Sequence, residues 1–154
     1  MFRPIKPASD ALIPGRRGLK IKVGDLIQRK PVTVTAMDSI ARGMQAMSDE
    51  QVGSVIVLAP DKCHPLGIVT LQDILCRVAL PRADIGQAIS AIMTPNPVTV
   101  PKHSSAMQAS LLMAERKLRH LLVINEQGCL EGVISKNDIY DLLCQTCSAL
   151  TRAK

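Results

Sequence analysis

Short apolar runs alternate along this chain with stretches of helical period, and the order in which they come occurs twice. In the first half, Val32 to Val34 reads as a short strand after Pro31. Asp38 then reads as the N-cap of a helix whose Ile40, Met44 and Met47 share one face at the 3.6-residue period, with Val52 beyond its last turn. Val55 to Leu58 is an uninterrupted apolar strand, 59–65 a loop, and Gly67 to Val69 a strand that runs into a helix from about Leu71. The second half predicts a strand over Val98 to Val100, a helix from Ser105 to Lys117 carrying Leu111, Leu112 and Met113, and a strand over Leu121 to Ile124. A turn at Glu126-Gln-Gly128, a strand from Gly132 to Ile134 and a helix from Lys136 complete it. Each half is β-α-β-β-α.

The landmarks recur with nearly constant spacing. Pro97-Val-Thr-Val100 restates Pro31-Val-Thr-Val34, and Gly132-Val-Ile-Ser-Lys-Asn-Asp138 restates Gly67-Ile-Val-Thr-Leu-Gln-Asp73. A duplication with this period and content predicts two similar supersecondary units packed about a pseudo-twofold axis, with paired, similar clefts between them. A chain of 154 residues gives each unit too little surface to bury by itself, so the halves are expected to need each other. The boundaries read as a basic arm over 1–22, a first repeat over 23–80, a linker over 81–88, a second repeat over 89–145 and a tail over 146–154.

Composition sharpens this picture in two places. Phe2 and Tyr140 are the sole aromatic residues, so the core is built of aliphatic side chains and methionine, and stacking platforms for single-stranded nucleic acid are disfavoured. The net charge of +6 is concentrated in the first 30 residues, where Arg3, Lys6, Arg16, Arg17, Lys20, Lys22, Arg29 and Lys30 face Asp10 and Asp25. That arm, rich in proline and glycine, reads as a solubilising extension, with a tether to nucleic acid or a membrane surface as the alternative. No apolar run approaches the roughly 20 residues needed to span a bilayer, no signal-peptide stretch opens the chain, and the protein reads as cytoplasmic.

Five cysteines, an odd number without framework spacing, fit a reducing compartment. Cys144-Gln-Thr-Cys147 falls in the closing turns of the last helix, where two helix cysteines are the plainer reading than a redox pair or half of a zinc site. His64, His103 and His120 show no metal-ligand spacing, and no metal is expected. Neither a Ser/His/Asp arrangement nor a glycine-rich phosphate loop is present, so no enzymatic constellation competes.

The candidate chemistry sits where a glycine-led strand becomes a helix, at Thr70-Leu-Gln-Asp73 and Ser135-Lys-Asn-Asp138. As local structure this is a capping box, with each hydroxyl worth about 1 kcal/mol and the aspartate favoured by the positive end of the helix. Its double occurrence suggests more. Helix N-termini attract phosphate, and a carboxylate there can accept hydrogen bonds from both ribose hydroxyls.

The doubled combination of Pro-Val-Thr-Val, then Ser54-Val-Ile-Val or His120-Leu-Leu-Val, then Gly-x-x-Thr/Ser-x-x-Asp resembles the CBS domain, named for cystathionine β-synthase, in its tandem arrangement. The resemblance covers about Val23 to Leu143. It implies an α+β fold in which two pseudo-symmetric β-α-β-β-α units pack through their sheets, with interface clefts that take AMP, ADP, ATP or S-adenosylmethionine. It also implies homodimers and regulation of a target protein. Carried across, Asp73 and Asp138 resemble the ribose-binding aspartates, and Thr70 and Ser135 the hydroxyls near phosphate. Arg119 and His120 resemble basic residues presented to phosphate, with Lys30 and Asn96 at the loops entering the first strands. Gly53 and Ser54 stand where Arg119 and His120 do in the other repeat, so the two sites are expected to be unequal. The resulting reading is a non-enzymatic nucleotide sensor. The alternative is a dimerising adaptor with vestigial clefts that contacts nucleic acid through its basic arm.

Overall fold

In the computed structural model, which describes residues 21–151, two sheets face each other across a thin aliphatic layer. The first repeat contributes β1 (Thr33–Thr35), α1 (Ile40–Asp49), β2 (Ser54–Leu58), β3 (Pro65–Thr70) and α2 (Leu71–Ile74), the last continuing as a π-helical turn over Leu75–Ala79. A two-residue strand, β4 (Thr94–Pro95), joins this sheet in the order β1-β2-β3-β4. The second repeat contributes β5 (Thr99–Pro101), α3 (Ala106–Arg116), β6 (His120–Ile124), β7 (Leu130–Ser135) and α4 (Lys136–Thr151), with sheet order β5-β6-β7. In both sheets the first strand runs parallel to the second and the next hairpin is antiparallel. Residues 1–20 of the basic arm and the last three residues of the tail lie outside the described residues.

Local chemistry accounts for the helix starts. Ser39 rather than Asp38 caps α1, its Oγ accepting from Arg42 N at 3.1 Å. The carboxylate of Asp38 instead accepts from Thr35 N at 2.7 Å and closes the turn before the helix. Ser105 caps α3 in a reciprocal pair with Gln108. Ile56, Leu58 and Leu122 are buried between the sheets, with Ile68, Leu130 and Val133 packed around them, which is the sheet-to-sheet contact expected of the duplicated fold.

The repeats are not closed units. A 3-10 turn over Val23–Leu26 precedes the first repeat in sequence but buries Val23 and Leu26 in the core of the second, beside Val100, Met113, Leu121 and Ile134. Its backbone is stitched there by Val23 N to Ser104 O and Gly24 N to Lys102 O, at 2.8 and 2.9 Å. Reciprocally, a 3-10 turn over Ile89–Ala91 puts Ile89, with Ile92, into the core of the first repeat, where Ile89 N donates to Asp38 O. Each repeat's leading segment thus completes the other.

That exchange explains the glycine opening each motif. A Cβ on Gly132 would lie 2.7 to 2.8 Å from three carbons of Ile27, and one on Gly67 would lie 2.5 Å from Met93 Sδ and 2.9 Å from Thr94 O. The exchanged segments pass directly over these two positions.

Candidate functional site

Both strand-to-helix junctions form the capping box that their sequence prescribes. Ser135 donates its N–H and its hydroxyl to Asp138 Oδ2 at 2.6 and 3.0 Å, and Asp138 N donates back to Ser135 Oγ at 3.3 Å. Thr70 and Asp73 repeat this at 2.9, 2.9 and 3.3 Å. Only one carboxylate oxygen is needed for the cap, which leaves Oδ1 of each aspartate for other work.

The two junctions then diverge. Asp73 Oδ1 lies 3.7 Å from Arg77 Nε, one turn further along, and Arg77 is anchored by donating to Ile92 O at 2.8 Å. At the equivalent place in α4 the residue is Leu142, and among the described residues Asp138 Oδ1 has no hydrogen bond or ion pair.

A cleft of about 230 Å³ opens beside Asp138. Val32, Ile56 and Val133 line it with apolar groups, Ser54, His120, Ser135 and Asp138 supply polar groups, and the exposed Arg29 and Lys30 add two cations. The exchange of leading segments builds it. With Val23 and Leu26 fixed on the second repeat, the chain must cross from there to β1, and residues 28–31 line the cleft on the way.

Of the sequence-predicted residues, Lys30, His120, Ser135 and Asp138 meet in this cleft. Thr70, Asp73, Arg119 and Asn96 do not line it. Arg119 is exposed and contributes its carbonyl oxygen, which accepts from Lys136 N at 3.0 Å; Gly53 O does the same for Leu71 N at 3.1 Å. The first N–H of each helix is therefore engaged and is not free for phosphate. Asn96 is exposed with a positive φ of 50°, its N–H donating to Leu66 O. The grouping expected from sequence is corrected in one respect: Gly53 and Ser54 share the cleft of Asp138, and Arg119 stays outside it. Arg29 joins them in the cleft. Its signal was its position beside Lys30, but only the exchanged path brings that pair to Asp138.

Electrostatics divide the cleft. Among the described residues its lining holds one carboxylate and two cations, and the half-buried His120 ring is held below the ordinary imidazole pKa chiefly by desolvation, with Arg119 adding to the fall and Asp138 opposing it. The ring therefore becomes cationic at lower pH than an ordinary imidazole.

A second pair of groups meets where the hairpins of the two repeats touch. Cys63, in the loop from β2 to β3, and Cys129, in the loop from β6 to β7, form a disulfide, so the cysteines are not all unpaired as their odd number suggested. Their separation of 66 residues is the repeat spacing, which was the available signal. Cys76 and Cys144 are free and exposed, and the side chain of Cys147 lies outside the described residues.

The duplicated fold and the paired junctions define a class, and comparison bears it out: CBS domain models match residues 23–79 and 89–144, and the chain belongs to the CBS domain family as a tandem pair. A CBS domain protein from Pyrobaculum aerophilum, solved in complex with AMP, superposes with a TM-score of 0.72 at 28% identity, covering 77% of this chain and 89% of that one. Among relatives, an uncharacterized protein of Methanocaldococcus jannaschii is 29% identical over 131 residues, covering 77% of this chain. One from Bacillus subtilis is 29% identical over 118 residues, covering 77% of this chain and 79% of its own length. The chain spans 31% of the Methanocaldococcus jannaschii protein. Among the described residues no helix is long and apolar enough to cross a membrane.

Proposed function

We propose that this chain is a non-enzymatic, cytoplasmic sensor that binds one adenosine nucleotide in the cleft beside Asp138 and passes its occupancy to a partner protein. The observation that carries the reading is Asp138 Oδ1, without a partner among the described residues, in a cleft also lined by Val32, Ile56, Val133, Arg29 and Lys30. An adenine ring suits Val32, Ile56 and Val133, the ribose hydroxyls donate to Asp138, and phosphate meets the cations. The cleft is smaller than the roughly 300 Å³ at which enclosing ligand pockets begin. Base and ribose fill it, and the phosphates extend to the rim.

The rim also ranks the ligands. AMP, ADP and ATP bring negative charge to Arg29 and Lys30, whereas the sulfonium of S-adenosylmethionine brings positive charge and is disfavoured there. The complex of the Pyrobaculum aerophilum relative with AMP supports an adenosine nucleotide as the ligand class. In the first repeat, Arg77 occupies the carboxylate that a ribose would use, so Asp73 is the weaker candidate.

Leu71 and Leu75 on the helical segment of the first repeat and Tyr140 on α4 are exposed apolar side chains at 60%, 54% and 65%. They support a homodimer formed through these helices. A melting experiment tests the central reading: AMP at a hundredfold excess over its dissociation constant should add about 2.7 kcal/mol of stability. No shift and no binding heat with any adenosine nucleotide at millimolar concentration leaves the adaptor reading in its place.

A further inference from the structure

The disulfide at the meeting of the two hairpins uses two sulfurs, but the structure brings a third metal-ligating group to the same point. A ring nitrogen of His64 and the sulfurs of Cys63 and Cys129 lie within 4.8 Å of one another. The three residues come from loops that are separately fixed. Asp61 Oδ1 accepts from Cys63 N and His64 N at 2.9 and 3.1 Å, and Asn125 Oδ1 accepts from Cys129 N at 3.0 Å. The loops are also tied to each other, by Leu130 N donating to Cys63 O at 2.9 Å and by the His64 Nε2 contact with Gln127 O at 3.0 Å.

His64 is arranged as a ligand would be. Its Nδ1 is hydrogen-bonded to Asp61 Oδ2, which orients the ring, and a metal held through Nε2 would replace that nitrogen's contact with Gln127 O. A carboxylate behind a histidine is the usual outer partner of a metal-bound imidazole, and a disulfide has no use for one.

We propose that the reduced protein binds one thiophilic d10 dication, of the zinc class, through Cys63, Cys129 and His64, so that the metal joins the two repeats where the disulfide otherwise does. Two thiolates and one imidazole suit this class of ion, and the two negative charges neutralise the dication. The fourth position opens to solvent, since the His64 side chain is half exposed. The interconversion balances simply. Two equivalents of a thiol reductant open the disulfide to two cysteine thiols and leave as their own disulfide; metal binding then releases the two thiol protons.

The test uses the full chain with C76S, C144S and C147S substitutions, so that Cys63 and Cys129 are its remaining thiols. After reduction and exchange into zinc chloride, dialysis and elemental analysis should find one zinc per chain. The oxidised protein and a Cys63→Ser variant should hold none. Cobalt replacing zinc should give a thiolate-to-cobalt charge-transfer band in the parent, a readout that does not depend on any variant folding. His64→Gln should weaken zinc binding, and Asp61→Asn should do so by about 10- to 100-fold. A reduced parent with both thiols titratable but no bound zinc and no cobalt band overturns the proposal. Equal zinc retention in Cys63→Ser, or unchanged affinity in His64→Gln, overturns it as well.

Discussion

Asp138 Oδ2 takes both the N–H and the hydroxyl of Ser135, at 2.6 and 3.0 Å, and the cap thereby orients a carboxylate whose second oxygen has no partner among the described residues. Capping and ligand binding are not rival explanations of this motif. One oxygen starts the helix, and the fixed geometry that results is what makes the other useful. In the first repeat the same cap is followed by Arg77, and the second oxygen of Asp73 is already used.

The rim cations should set the phosphate contribution. Lys30→Ala and Arg29→Ala are expected to weaken AMP by several-fold each and to leave adenosine nearly unchanged, because hydrogen bonds to charged groups contribute about 1.5 to 3 kcal/mol when desolvated and less at an exposed rim. Arg119→Ala should leave the AMP-to-adenosine affinity ratio unaltered, since Arg119 lies outside the cleft. Titration calorimetry with both ligands decides. A loss of AMP preference in Arg119→Ala would return that residue to the site.

Gly132 should not tolerate a side chain. The Cβ of Gly132→Ala would overlap three carbons of Ile27, and overpacking of this kind costs about 1 to 3 kcal/mol. Chemical denaturation should show that loss, and Ile27→Ala in the same chain should recover part of it by making room. A neutral Gly132→Ala would mean that the exchanged segment does not press on β7.

The contribution of His120 to stability should fall on mild acidification, opposite in sign to that of His64, whose pKa its hydrogen bond to Asp61 raises. Burial makes His120 bind protons less readily in the folded chain than in the unfolded one, so protonation favours unfolding. The contribution is complete above the ordinary imidazole pKa of 6.5 and is lost as pH drops through it toward the lowered folded value. His120→Gln should flatten the stability profile in that window. Bound phosphate favours the imidazolium, so AMP should gain on adenosine over the same interval; a pH-independent ratio would separate His120 from the phosphate.

Much of the architecture is legible in the chain because the strands and helices of the β-α-β-β-α order are specified twice by local pattern, while β4, which occurs once, is not. The glycine-led strands, the capping boxes and the β-α-β-β-α order all depend on neighbours within a few residues. What could not be read is everything that depends on crossing between repeats. Val23 and Ile89 look like the starts of their own repeats, yet each fills the opposite core. The company of Gly53 and Ser54 with Asp138, the approach of Arg29, and the meeting of Cys63 with Cys129 follow from the same crossing and the pseudo-twofold axis. Helix capping by Ser39 in place of Asp38 is a smaller matter, two adjacent capping residues of which the earlier one was needed to close the preceding turn.

The central claim is that Asp138 is the ribose anchor of one functional cleft. Titration calorimetry of AMP into the parent, Asp138→Asn and Asp73→Asn tests it most directly. The account predicts one site per chain, a loss of affinity of about 10- to 100-fold in Asp138→Asn, as expected for removing charge-assisted hydrogen bonds, and little change in Asp73→Asn. Equal affinity in the parent and Asp138→Asn, or an equal loss in both variants, would contradict it.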